Sequence, residues 1–164
     1  MTDHNEGMKK VGTQKTMLAQ LWAVITIVLI LFTSTHVLGV DFDSASVRIA
    51  TSESTKLLKV EFARTFEQRA QGLMHRQSMC DDCGMLFRYT HPTVGSMWMK
   101  NTYIALDVAF ISKEGVITDI IAMQPHDLTP ISSSQKVLFA LEMNQGWFAK
   151  QGIVVGDKVK VINE

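Results

Sequence analysis

No Asp, Glu, Lys or Arg occurs between Lys15 and Asp41, and that gap decides how much chain is left to build a water-soluble core. Lys9, Lys10 and Lys15 precede an apolar run, Met17 to Phe32, interrupted only by Gln20 and Thr26. A basic stretch followed by an apolar one is the pattern of a secretory leader or a membrane anchor. The run is longer than the roughly 7–15 apolar residues of a signal peptide and shorter than the ~20 of a comfortable membrane span. Residues 1–40 are therefore expected to be a signal peptide, cleaved after Val37-Leu38-Gly39, or an anchor held in the membrane through residues 17–32. A buried core helix suits the run less well, because it is apolar on all sides and follows positive charge. Either way the lysines stay inside, and Asp41 onward is expected to be exported, periplasmic or otherwise extracytoplasmic, anchored to the inner membrane if the segment is kept.

What remains is roughly 125 residues, the size of one ordinary domain. Residues 41–46 read as a linker rich in Ser and Asp, and residues 47–164 as one globular domain. Sixteen basic residues balance sixteen acidic ones, so no excess of positive charge recruits a polyanion, and nucleic acid is not expected as a partner.

Within that domain the hydrophobic period is two. Leu58, Val60 and Phe62 alternate with Lys59 and Glu61 in a half-buried strand over 56–63. Thr65-Phe66-Glu67-Gln68 is a capping box opening a helix of two to three turns that Gly72 stops. Short strands are expected over 85–87, 136–143 and 159–162. Ile104–Ile111 and Val116–Ala122 form a hairpin in which Gly115 takes the left-handed loop position and Asp107 falls opposite Ile121. His91-Pro92 to Gly95 and Gln124 to Gln135 read as loops, and Trp147 to Lys150 as one helical turn. Many short strands with one or two short helices point to a mainly β fold, a small antiparallel barrel or sandwich.

Several motifs stand together along this stretch: Gly72-Leu73-Met74, Gly84-Met85-Leu86-Phe87, Trp98-Met99-Lys100-Asn101-Thr102, Leu106-Asp107 with Phe110, Leu141-Glu142 with Gly146, and Gly156-Asp157. In this order they resemble the bacterial and archaeal domain-of-unknown-function family 192. The resemblance covers about Val47 to Ile162. It implies a compact, mainly antiparallel β domain carried behind a signal peptide or anchor, and it implies no reaction.

Function must then be read from side chains. Cys80 and Cys83, with two residues between them and an oxidising compartment expected, most simply close a small disulfide. A redox role is opposed by Asp81 and Asp82, which stand between the two sulfurs and disfavour a thiolate beside them. A third reading makes the pair half of a Cu(I) site completed by His75, Met79 or Met85, since soft sulfur ligands select that ion; the ordinary reading of the methionines is core filling. No zinc-ligand spacing is present, and no cofactor is expected otherwise.

The polar residues that abut apolar strands are Trp98's neighbours Lys100 and Asn101, then Asp107 and Glu142, with Arg76 as a further charge. They read either as a structural network, with Lys100 or Arg76 pairing Asp107 or Glu142 and Asn101 capping a turn, or as a pocket. In the pocket reading Lys100 and Asn101 grip an anionic or carbonyl group, Asp107 and Glu142 set polarity, and Trp98 forms a flat wall. The sequence lacks the phosphate-cradling loop, the nucleophile elbow and the H-E-x-x-H helix, which disfavours the common nucleotide-dependent and hydrolase classes. Three functional expectations follow, in order: a non-catalytic exported domain binding a small ligand or peptide, a Cu(I)-handling domain, and an enzyme using Lys100 and Asp107 as acid and base.

Overall fold

A computed structural model describes residues 39–163. The basic and apolar segment expected to be a signal peptide or anchor lies outside the described residues up to residue 38. Seven strands are laid out as β1 (Asp43–Ala50), β2 (Thr55–Ala63), β3 (Gly84–Met97), β4 (Leu106–Ile111), β5 (Ile117–Met123), β6 (Ile131–Asn144) and β7 (Lys158–Asn163). Two short helices interrupt them, α1 (Phe66–Gln71) and α2 (Trp147–Lys150).

All seven strands belong to one sheet, in the order β5-β4-β6-β3-β2-β1-β7. The sheet curls into a half-barrel, and its two ends touch where Val116 bridges Lys158 and the Val159 N–H donates to the Gly115 carbonyl at 2.7 Å. A Cβ on Gly115 would run into that carbonyl's partner strand at the Val159 oxygen, and its φ of 76° favours glycine. The mainly β expectation holds, and the architecture is a curled sheet rather than a sandwich. One pair departs from antiparallel: β2 and β3 run parallel, Glu61 opposite Met85 through Ala63 opposite Phe87. Parallel neighbours need a crossover of a dozen or more residues, and residues 64–83, with α1, supply it.

The capping box forms as the sequence predicts. The Gln68 N–H donates to Thr65 Oγ1, and the Gln68 side chain accepts from the Thr65 N–H. Gly72 ends the helix. Strands β1, β3 and β6 run longer than their apolar cores suggest. β1 starts at Asp43, within the stretch read as linker, because Asp43 to Ser46 pair with Lys59 to Phe62. β3 absorbs Pro92 through register shifts between Arg88 and Thr93 and between Val94 and Ser96, irregularities where a missing N–H is tolerated. A further shift between Phe110 and Ile111 puts Asp107 opposite Ala122 rather than Ile121.

The pleat sorts the core into two clusters. Leu86, Ala109, Leu141 and Met143 join Phe62 and Phe148 in the larger one. Met85, Phe87, Val108, Phe110 and Ala140 form the second, with Leu73 and Met99 added from the connecting segments. Phe62, Phe110 and Phe148 are fully buried, each contributing about 1.5–3 kcal/mol from apolar area removed from water.

Candidate functional site

Strand β6 carries Ala140, Leu141, Glu142 and Met143 in succession, all buried. Alternation sends Leu141 and Met143 into the larger cluster, so Glu142 follows Ala140 toward the second. There it lies between Met85 of β3 and Val108 of β4 in the register of the sheet. Gly84 lets the two strands approach closely here, since a Cβ would collide with the Glu142 carbonyl and the Met143 sulfur.

Glu142 is only 4 % exposed, and its carboxyl makes no hydrogen bond or ion pair among the described residues. It forms the floor of a cleft of about 90 Å³. Arg69 and Gly72-Leu73-Met74, at the end of α1, make one wall, and Trp98 and Thr102 the other. Gly72 keeps the helix end low, because a Cβ there would press on the Phe87 ring at 3.3 Å. Burial pushes the Glu142 carboxyl up to about 8, so at neutral pH it is largely the protonated acid, able to donate as well as accept. Burial, and then the nearby Glu142 charge, push the Tyr89 phenol up to about 12.

Trp98 stands half out of the surface, 49 % exposed, with Lys100 Nζ 5.3 Å from its ring centroid, a cation–π arrangement. The corner behind it is tightly tied. The His75 N–H donates to the Asn101 carbonyl at 2.8 Å, the Met99 N–H to Asp127 at 2.9 Å, and the His126 N–H to Thr102 at 3.2 Å. Among the described residues, His75, Asn101 and His126 are the non-glycine residues with positive φ, at 66°, 54° and 63°. All three meet at this corner, where the Tyr103 ring lies between the two imidazoles, 6.2 Å from His75 and 5.0 Å from His126. Such backbone persists only where surrounding contacts over-determine it.

Of the residues singled out from the sequence, the fold brings Trp98 and Glu142 to one cleft, with Lys100 on the Trp98 ring and Asn101 in the corner behind. Arg76 and Asp107 go elsewhere. Arg76 makes a two-pronged pair with Glu61 at 2.5 and 2.6 Å and lies over the Phe42 ring. Asp107 accepts from the Gly146 N–H at 2.8 Å and so fixes the left-handed turn, φ 83°, that opens α2. Arg69 and Thr102 are cleft residues that sequence reasoning missed. Thr102 follows directly on the Trp98–Asn101 motif and could have been found there; Arg69 reads as an ordinary helix-surface residue, and only its donation to the Arg64 and Arg88 carbonyls shows otherwise.

Cys80 and Cys83 form a disulfide, Cα to Cα 5.0 Å. Its loop is bolted to the sheet, with Asn144 Nδ2 donating to the Cys80 carbonyl at 2.9 Å and Trp147 Nε1 to Asp82 at 2.9 Å. The Trp147 hydrogen bond, helped by Lys56, holds the Asp82 carboxyl below its ordinary value. In this state neither sulfur is a thiolate, so a copper site there would first need reduction. His75 is exposed, Met79 is half-buried and Met85 is sealed in the core.

A mainly β half-barrel, with one short crossover helix roofing an acid-floored cleft, is the class that fold and site together define. Residues 47–161 match domain-of-unknown-function family 192, described as an uncharacterised ancient conserved region, and the chain belongs to that family. A Sinorhizobium meliloti protein, provisionally described as a transcription regulator, is similar in structure with a TM-score of 0.72 and 38% identity, covering 75% of this chain and 97% of that one. A Novosphingobium aromaticivorans protein of unknown function gives 0.69 and 33% identity, covering 76% of this chain and 89% of that one. No curated protein matches the chain.

Proposed function

We propose that this is a non-catalytic, extracytoplasmic binding domain whose cleft takes the carbonyl or carboxylate end of a small ligand or of a peptide. The observation that carries the reading is Glu142, a carboxyl that opens only onto the cleft floor and has no protein partner of its own among the described residues. Facing the cleft, its O–H is placed to donate to a ligand oxygen. Trp98 offers the ligand a flat wall and Arg69 a positive charge, with Lys100 lying over the Trp98 ring. The volume of about 90 Å³, well below the roughly 300–1,000 Å³ of an ordinary small-molecule pocket, admits the tip of a ligand rather than a whole cofactor. The basic and apolar leader pattern and the Cys80–Cys83 bond support an extracytoplasmic setting.

The acid–base enzyme built on Lys100 and Asp107 has no support from the geometry, because Asp107 is spent on Gly146. The regulator description of the Sinorhizobium protein does not transfer easily either, since the charge here is balanced. Amide chemical shifts of the labelled domain, titrated with a panel of small carboxylates, amides and short peptides, test the reading. Residues 69–74 and 96–102 should move, with affinity falling as pH rises through about 8 in the wild type and staying level in Glu142→Gln. A panel that leaves those amides still, or shifts them equally in Glu142→Leu, sinks it.

A further inference from the structure

A protonated carboxyl carries an O–H donor and a C=O acceptor side by side. Burial keeps Glu142 largely in that form at neutral pH, and neither of its carboxyl oxygens is taken by a protein partner among the described residues. Two polar side chains of the cleft walls are already engaged: Arg69 turns Nη1 to the Arg64 and Arg88 carbonyls, and the Thr102 hydroxyl donates to the Lys100 carbonyl. Arg69 of α1 and Tyr89 of β3 are the titratable groups around the Glu142 carboxyl, while Met85 and Val108, its neighbours across the sheet on β3 and β4, carry no charge. Desolvation, rather than a charge from any of these elements, sets its proton. A space of about 90 Å³ lets only the terminal group of a ligand reach that donor–acceptor pair.

We infer that the cleft selects a primary carboxamide, the terminal –CONH2 of a small amide or of an asparagine or glutamine side chain, which meets Glu142 through two hydrogen bonds at once. This rests on the reading of the cleft as a binding site and names the group it takes. The amide oxygen accepts from the Glu142 O–H while the amide N–H donates to the Glu142 carbonyl oxygen. A ketone or ester can only accept, and leaves that oxygen without a donor. A carboxylate sets a negative oxygen against it, and the burial that keeps Glu142 uncharged equally penalises a charged ligand. A main-chain amide is excluded by shape, since a trans peptide points its N–H and C=O to opposite sides.

Three probes of one shape separate these cases: propionamide donates and accepts, butanone only accepts, and propionate accepts with a charge. The protein used spans residues 40–164, one compact unit, and the Sinorhizobium structure, 97% of which aligns here, is a domain of this extent folded on its own. The labelled methyls of Met74 and Met97, which line the cleft, report occupancy at any pH. At about pH 6 propionamide should bind roughly fivefold tighter than butanone, the worth of one net hydrogen bond, and tighter still than propionate. Raising the pH to about 9 should weaken propionamide about tenfold, because only about one carboxyl in ten then keeps its proton. Glu142→Gln, whose side-chain amide also offers a donor and an acceptor together, should keep propionamide's lead over butanone and lose the pH dependence. Glu142→Leu should lose that lead. N-acetylglutamine N-methylamide presents the same group on a peptide backbone: tighter binding than propionamide assigns the ligand to a peptide side chain, and equal binding assigns it to a small free amide. Butanone or propionate matching propionamide would overturn the carboxamide assignment and leave the cleft a binding site, as would a lead that survives in Glu142→Leu. Methyls that stay still with every probe would take down both.

Discussion

Replacing Glu142 by Gln isolates what a single buried proton does to stability. Burial holds the carboxyl at about 8, against ~4.3 for a free glutamate. The folded chain therefore keeps a proton that the unfolded chain gives up. Stability is complete below about pH 4, declines as pH rises from there toward about 8, and levels off above it. Between those values the slope is about 1.4 kcal/mol per pH unit, which sums to about 5 kcal/mol. Interiors respond as if their dielectric constant were near 20, which moderates such shifts, so about 2–5 kcal/mol is the expected loss. The glutamine variant has the same shape and no proton to release, and should lack this decline. Urea midpoints of both proteins, taken from about pH 5 to about pH 9, give the comparison, and the difference curve removes every other titrating group. Asp82 and Asp127, whose carboxyls are held below their ordinary value, lose their contribution only below about pH 4, outside the window. Parallel pH profiles for the two proteins would refute a desolvated carboxyl at the cleft floor.

Other outcomes follow from single contacts. The Cys80–Cys83 bond spans a sequence separation of 3; its loop entropy is worth about 2 kcal/mol, so Cys80→Ser with Cys83→Ser should lower the Tm by about 5–8 °C in a calorimetric scan. Asp107→Ala should cost about 1–3 kcal/mol by leaving the Gly146 N–H without its acceptor, whereas Asp107→Asn should recover most of that and leave ligand shifts at the cleft unchanged. Gly84→Ala should destabilise by about 3 kcal/mol in denaturant, since its Cβ meets the Glu142 carbonyl, which cannot swing aside. Trp98→Ala should stay within about 0.5 kcal/mol of wild type in stability while abolishing ligand shifts in residues 96–102, because the ring is half exposed.

The strand pattern was legible wherever a strand is half-buried. Leu58, Val60 and Phe62 alternate with charges in the sequence and point inward in the fold, and Thr65 with Gln68 announces a helix start that forms as written. Strand ends were not legible, because Asp43–Ser46 are ordered by pairing with β2 and the start of β6 at Ile131 and Ser132 by pairing with β3, rather than by their own composition. The parallel β2–β3 pair was hidden for the same reason: nothing local says which neighbour a strand will choose. At the cleft, Trp98 and Glu142 were visible as an aromatic and an acid set among apolar residues. Their separation from Asp107 was not, because that depends on which face of the pleat each side chain takes, and a single shift between Phe110 and Ile111 alters the partner opposite. Arg69 left no trace in the sequence, since its role depends on carbonyls brought near it by the fold.

The strand nearest the start of the domain, β1, is flanked by β2 on one side and by β7, formed by the last described residues, on the other. Val47 and Ile49 of β1 find Val161 and Val159 opposite them only after everything between has been made. A chain threading out of a ribosome or through a translocation pore therefore cannot complete its sheet until Lys158–Asn163 has emerged, and until then β1 presents a bare edge to whatever holds the chain. Assembly is thus timed by the final strand, and a protein cut short before Lys158 should be met by proteases as an open, unfinished sheet rather than as a slightly smaller domain.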